Sequence, residues 1–154
     1  MARQDDEARR PAAAEAARIS YAVLMLARVH RAYAARLLRE LGLHPGQEHL
    51  LMHLYDRDGQ TQSELLESVG LDHSTISKAL SRMEQAGLLR REKSERDRRV
   101  IVVWLTDEGR AMRAPIERMW QTLERTAVGA LDADQAESFL VMAENVKRAI
   151  EELG

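Results

Sequence analysis

The stretch DHSTISKALSRMEQAGLL, residues 72–89, decides the fold. Asp72 is a good N-cap, and Ile76, Leu80 and Met83, spaced by four and three, form the apolar side of a helix expected from about 73 to 86. Gly87 ends it. The remaining sides carry Ser74, Thr75, Ser77, Lys78, Ser81 and Arg82. Short hydroxyls and long cations on one face suit a helix that reads a DNA major groove while its other face packs inward. An amphipathic helix with a merely solvated polar face looks the same, so the neighbouring segments decide.

Upstream, Thr61 and Glu64 stand three apart as in a capping box and start a helix over TQSELLESVG, which Gly70 closes. Two short helices joined at Gly70, Leu71 and Asp72 make a helix-turn-helix. Downstream, Leu88 to Glu92 can form a strand, the charged run KSERDRR follows, and VIVVWL is a second strand bounded by Thr106. This predicts a two-stranded hairpin, a wing, over about 88–105. Arg90 to Arg99 holds six basic and three acidic residues. Charge at a hairpin tip also blunts a sheet edge. Here, however, both basic elements come in the order that sets them against one duplex, the tip at a minor groove.

The flanks are helical. Ile19, Val23, Leu26, Tyr33, Leu37 and Leu41 make one stripe on a long helix from Ala12 to Leu41, ended by Gly42. Pro45 is expected to open a shorter helix that buries Leu50, Leu51, Leu54 and Tyr55. Thr106 caps another with Met112, Ile116, Met119, Leu123 and Ala127 on one side, in which Pro115 should produce a kink. A last helix begins near Asp132 and carries Phe139, Ala143, Val146, Ile150 and Leu153. The fold class is therefore mostly α, a winged helix-turn-helix with a two-stranded β-hairpin wing between long terminal helices. Four regions follow: a mobile tail (1–11), an N-terminal dimerisation helix (12–42), the winged helix-turn-helix (43–106) and C-terminal dimerisation helices (107–154).

Composition narrows the function. The net charge of −2 argues against a general polyanion binder. Yet residues 72–99 carry eight Lys/Arg against five Asp/Glu, leaving fifteen against twenty elsewhere, so a basic segment sits in an acidic body. With no cysteine, disulfides, thiolate metal sites and thiol redox sensing are excluded. No stretch approaches the roughly 18 apolar residues of a membrane span, and MARQDDEARR lacks a signal-peptide apolar region, so a cytoplasmic protein is expected. There is no Gly-rich phosphate loop, GxSxG or HExxH motif, which argues against an enzyme and against a bound cofactor. The competing class is a helical interaction protein whose winged helix binds another protein. Its affinity would not fall with salt as DNA binding must.

The block from DHSTISKALSRMEQAGLLRR through SERDRRVIVVWLTDEGR resembles the winged helix of the MarR (multiple antibiotic resistance regulator) family. Asp97 and Arg99 match its Asp-x-Arg wing motif, Leu105 and Thr106 the end of its strand, and Gly109 the opening of its next helix. The resemblance implies a homodimer with interlocked terminal helices that represses by binding a pseudo-palindromic double-stranded operator. It implies DNA contacts by Ser74, Thr75, Ser77, Lys78, Arg82, Arg96, Arg98 and Arg99, with Asp97 orienting a neighbouring arginine and Gln62 able to contact phosphate. Many members release DNA when a small aromatic or phenolic anion binds. His30, Tyr33, Met52, Tyr55 and Met112 are the residue types to line such a pocket, although at helical spacing they are also ordinary core. His49 and His53 are four apart, a chelating spacing, but without an HExxH glutamate or any cysteine no metal site is expected.

Overall fold

A computed structural model describes residues 11–70 and 72–153. The expected tail, apart from Pro11, and Leu71 of the turn lie outside the described residues. The chain divides into two compact units, Met1–Pro45 and Gly46–Gly154.

The first unit is helical. A 3-10 turn, Ala12–Ala17, leads into α1, Arg18–Glu40. The single α-helix expected from Ala12 thus starts six residues later, and no side chain caps either start. Ile19, Val23 and Leu26 of the apolar stripe are exposed.

The second unit opens with α2, Gln47–Asp56, whose N-cap is Gly46 rather than a start at Pro45. Leu50, Leu51 and Leu54 are buried as expected, and Tyr55 is half-buried. Buried Gln60 closes this helix, its Nε2 donating to the carbonyls of His53 and Arg57 at 2.7 Å each. Then come β1 (Gln60–Thr61), α3 (Gln62–Val69), α4 (His73–Gln85), β2 (Leu89–Lys93) and β3 (Ile101–Leu105). β2 and β3 form the expected antiparallel hairpin, with Leu89 opposite Leu105 and Lys93 opposite Ile101. A third strand extends it, because β1 pairs antiparallel with the other edge of β3, Gln60 opposite Val103 and Thr61 opposite Val102.

The core of this unit lies where α2, α3, α4 and the sheet meet. Leu50, Leu54, Leu65, Ile76, Leu80, Met83 and Val103 are all sealed from solvent. Asp58 ties the strand junction together. Its Oδ1 accepts from the backbone N–H of Gly59 and of Leu105 at 2.9 Å each, and its Oδ2 accepts from Arg110 at 2.6 Å.

After the sheet the helix expected to be kinked is in fact two, α5 (Asp107–Ala111) and α6 (Arg113–Val128). The break falls at Met112, three residues before Pro115. Pro115 therefore sits in the first turn of α6, where a missing N–H costs nothing. Thr106 caps α5 by accepting from Gly109 N–H at 3.0 Å. Gly109 is required there, since a Cβ would collide with the Leu88 carbonyl. The last helix, α7, spans Ala133–Glu151 behind a capping box of Asp132 and Gln135, and none of its residues is buried. Among the described residues no helix is long and apolar enough to cross a membrane.

Candidate nucleic-acid interface

The helix-turn-helix is set by side-chain caps at both starts. Thr61 Oγ1 accepts from Glu64 N–H at 3.2 Å, and Glu64 Oε2 accepts from Thr61 N–H at 2.7 Å. Arg57 adds a 2.7 Å ion pair to the other carboxylate oxygen. Together, the Thr61 backbone donor first, these partners hold the Glu64 carboxyl down at about 2. At α4, Asp72 Oδ1 accepts from the backbone N–H of Ser74 and Thr75, both at 3.0 Å. The same carboxylate accepts from Ser74 Oγ at 2.7 Å and Thr75 Oγ1 at 2.5 Å. Those hydroxyl bonds, Thr75 first, keep Asp72 well below the usual carboxylate range.

The inner face of α4 is Ile76, Leu80 and Met83, each fully buried. Its outer face exposes Ser74, Thr75, Lys78 and Arg82, while Ser77 is half-buried. Among the described residues neither Lys78 nor Arg82 has an ion-pair partner. Gly87, at φ +75°, stops α4 and turns the chain, with Leu88 N–H donating to the Met83 carbonyl at 3.0 Å. Glu84 then fixes the wing against the helix, accepting from Arg91 at its backbone N–H (2.9 Å), Nε (3.0 Å) and guanidinium Nη2 (2.7 Å).

The basic residues of the wing separate into two kinds. Arg90 pairs with Glu92 and lies 5.6 Å above the Trp104 ring, and Arg91 is held by Glu84. These two stiffen the hairpin. Arg96, Arg98 and Arg99 at the tip are exposed, and among the described residues none has an ion-pair partner. Asp97 orders the tip through the backbone, its Oδ1 accepting from Arg99 N–H at 2.9 Å and its carbonyl from Val100 N–H at 2.9 Å. The result is a braced loop with three uncommitted guanidinium groups. Gln62, in the first turn of α3, is half-buried with its Oε1 shielded and without a partner among the described residues.

The pocket candidates do not converge as a set. Met52 and Tyr55 line a cavity of about 290 Å³ between α2 and α6, together with Asp56, Arg113, Ile116, Glu117, Trp120 and Gln121. Met112 is not among its lining residues, and His30 and Tyr33 belong to the first unit. Tyr55 donates from its hydroxyl to the Gly109 carbonyl at 2.8 Å, and burial pushes its phenol up to about 12, against the opposing pull of Arg113. Arg113 lies 5.7 Å above the Tyr55 ring and pairs with Glu117 at 2.9 Å. Trp120 Nε1 is shielded with no acceptor among the described residues. Arg113 and Trp120 are lining residues that the sequence reading missed. The available signal was Trp120 standing one turn beyond buried Ile116 and two beyond Arg113. The His49 ring stacks on Trp120, centroids 5.9 Å apart and planes at 22°.

The sequence profile of the MarR family matches residues 43–101. The transcriptional regulator HosA of Escherichia coli O127:H6 is 34% identical over 85 residues, which are 55% of this chain and 63% of that protein. HosA of E. coli O111:H- is 31% identical over 94 residues, 61% of this chain and 70% of that protein. Among solved structures, a MarR variant from E. coli complexed with operator DNA superposes with a TM-score of 0.79 at 20% identity, covering 89% of this chain and 99% of that one. That likeness is one of fold. PcaV of Streptomyces coelicolor in complex with its natural ligand gives 0.70 at 27% identity, over 81% and 91% of the two chains.

Proposed function

Because the chain belongs to the MarR family, we propose that it is a DNA-binding transcriptional regulator rather than an enzyme. It binds a pseudo-palindromic operator as a homodimer and represses from it. The observation that carries this reading is the pairing of two basic elements with no internal ion-pair partners among the described residues: Lys78 and Arg82 on α4, and Arg96, Arg98 and Arg99 on the braced wing tip. Several other cations of the same unit, Arg57, Arg91, Arg110 and Arg113 among them, are instead paired with carboxylates. In this reading α4 enters the major groove, the wing arginines approach the minor groove, and Ser74, Thr75, Ser77 and Gln62 lie along the same surface.

Residues 43–106 are the DNA-binding region in this proposal, and 12–42 and 107–154 hold the dimer together. Support comes from apolar side chains that their own units leave in water, Ile19 and Val23 on α1 and Phe139, Leu140, Met142 and Ile150 on α7. The cavity beside Tyr55 and Trp120 is the proposed place for a small aromatic or phenolic effector that releases DNA. Its support is an apolar wall, one guanidinium and a shielded indole N–H.

The test is binding of the purified protein to DNA from upstream of its own locus, titrated from low to physiological salt, with Arg99→Ala alongside. Selective binding that weakens with salt and with the substitution is expected. A folded dimer that selects no fragment from the locus or from a random DNA pool overturns the reading.

A further inference from the structure

The hydroxyls of Ser74 and Thr75 each own a single proton, and both protons are committed. Ser74 Oγ lies 2.7 Å from Asp72 Oδ1 and Thr75 Oγ1 lies 2.5 Å from Asp72 Oδ2. Asp72 cannot be the donor in these pairs. Its Oδ1 already accepts two backbone N–H groups, and a carboxylate held by four donors stays ionised and accepts only. Each hydroxyl therefore turns only lone pairs outward. Both residues are exposed on α4, and Lys78 follows within one turn of each on the same helix, cationic and without an ion-pair partner among the described residues.

We infer that Asp72 sets the direction of these two side chains, making Ser74 and Thr75 hydrogen-bond acceptors toward DNA. This rests on the reading of α4 as the groove-facing helix. Its consequence is chemical. Phosphate oxygens, guanine N7 and O6, and thymine O4 are all acceptors, so a hydroxyl without a free proton can bond to none of them. In the major groove the complementary donors are the exocyclic amino groups, N6 of adenine and N4 of cytosine. Ser74 and Thr75 thus read amino-bearing bases, and backbone holding is left to the cations. Asp72 is a positioning residue in this scheme, because it acts on DNA only through its neighbours.

The experiment uses full-length protein and the best site selected from a random duplex pool by the wild type. At each position protected by α4, adenine is replaced by purine or cytosine by 2-pyrimidinone, which lack only the amino group. Wild-type affinity is expected to fall about five- to thirtyfold at one or two positions. Thr75→Val and Ser74→Ala should each abolish the loss at one of them, with Thr75→Ser restoring it, and circular dichroism checks that α4 remains formed. The dependence of affinity on salt should be the same for Thr75→Val as for wild type, since no charge is removed. If Thr75→Val instead weakens binding evenly across sequences, with the loss on amino deletion unchanged, the hydroxyl donates to phosphate and the inference is overturned. If no amino deletion affects the wild type while binding stays selective, Ser74 and Thr75 do not read bases and the inference fails alone. A wild type that selects no site at all overturns the DNA reading beneath it.

Discussion

Helices α4 and α7 are both amphipathic by sequence, yet they end in opposite states. In α4 the apolar side, Ile76, Leu80 and Met83, is fully buried inside its own unit, and the polar side is left facing out. In α7 the large apolar side chains are more numerous, but Phe139, Leu140, Val141 and Met142 are about half exposed in succession and no residue is buried. A helix with apolar residues around so much of its circumference belongs in an interior. The difference assigns two kinds of work. In α4 folding of one chain buries the hydrophobic face and leaves the hydrophilic one in solvent, whereas in α7 the apolar residues stay exposed and the proposed dimer would supply the surface that covers them.

The largest expected effect tests the first half of that contrast. Leu80→Ala should destabilise the second unit by about 2–5 kcal/mol, because the site is surrounded and cannot collapse freely. Denaturant unfolding followed by circular dichroism measures it, and a loss under about 1 kcal/mol would mean that α4 is not anchored as described. On α7 the same logic predicts a different readout. Phe139→Asp should leave the unfolding of the monomeric fold nearly unchanged, since the residue is already 44% exposed. It should instead weaken self-association by about thirtyfold or more, read by analytical ultracentrifugation over a dilution series. A variant that stays as tightly associated as wild type removes α7 from the interface and breaks the comparison.

These two helices also show where the sequence was readable. Capping residues and periodicity act over three or four positions, so Thr61 with Glu64, Asp72, and the Ile76, Leu80, Met83 series could be seen without a structure. The run VIVVWL likewise identified β3. What escaped depended on distant partners. β1 is two polar residues with no alternation of its own, and it exists because β3 offers an edge and Asp58 reaches the Leu105 N–H forty-seven positions away. The separate roles of the wing arginines escaped for the same reason, since Arg91 is spent on Glu84 of the preceding helix while Arg99 is not. Residue type alone marks Tyr55 as able to line a pocket. Its bond to Gly109 across fifty-four positions, and the company of Arg113 and Trp120, come from packing α6 against α2.

A smaller effect sharpens the polar side of α4. Lys78→Ala should change stability by less than about 0.5 kcal/mol, because the side chain is exposed and has no ion-pair partner among the described residues. Its effect is expected in DNA binding. If Lys78 meets a phosphate, the salt slope falls by about one and all sequences weaken together; if it meets guanine, preference at one position relaxes by about tenfold. Fluorescence anisotropy at several salt concentrations on selected and scrambled duplexes separates the two. No change in either would remove Lys78 from the interface and leave the wing arginines to carry it.

The smallest effect concerns how the two starts of the helix-turn-helix respond to acid. The Glu64 carboxyl is held at about 2 in the folded protein against an ordinary 4.5. A depressed carboxylate favours folding fully above its unfolded value, and that contribution fades as pH falls from about 4.5 toward 2. Asp72 is displaced in the same direction by Thr75 and Ser74, so both helix starts should loosen over the same acid range. Glu64→Gln keeps the size of the side chain but not its charge. Wild type should therefore be modestly more resistant to urea than the variant at neutral pH, and the gap should narrow below about pH 4.5 and close only toward pH 2. A gap that stays constant with pH would show that Glu64 acts through shape or neutral hydrogen bonds. In that case the ion pair with Arg57 and the charged cap contribute nothing to the bracing of α3, on which the placement of α4 depends.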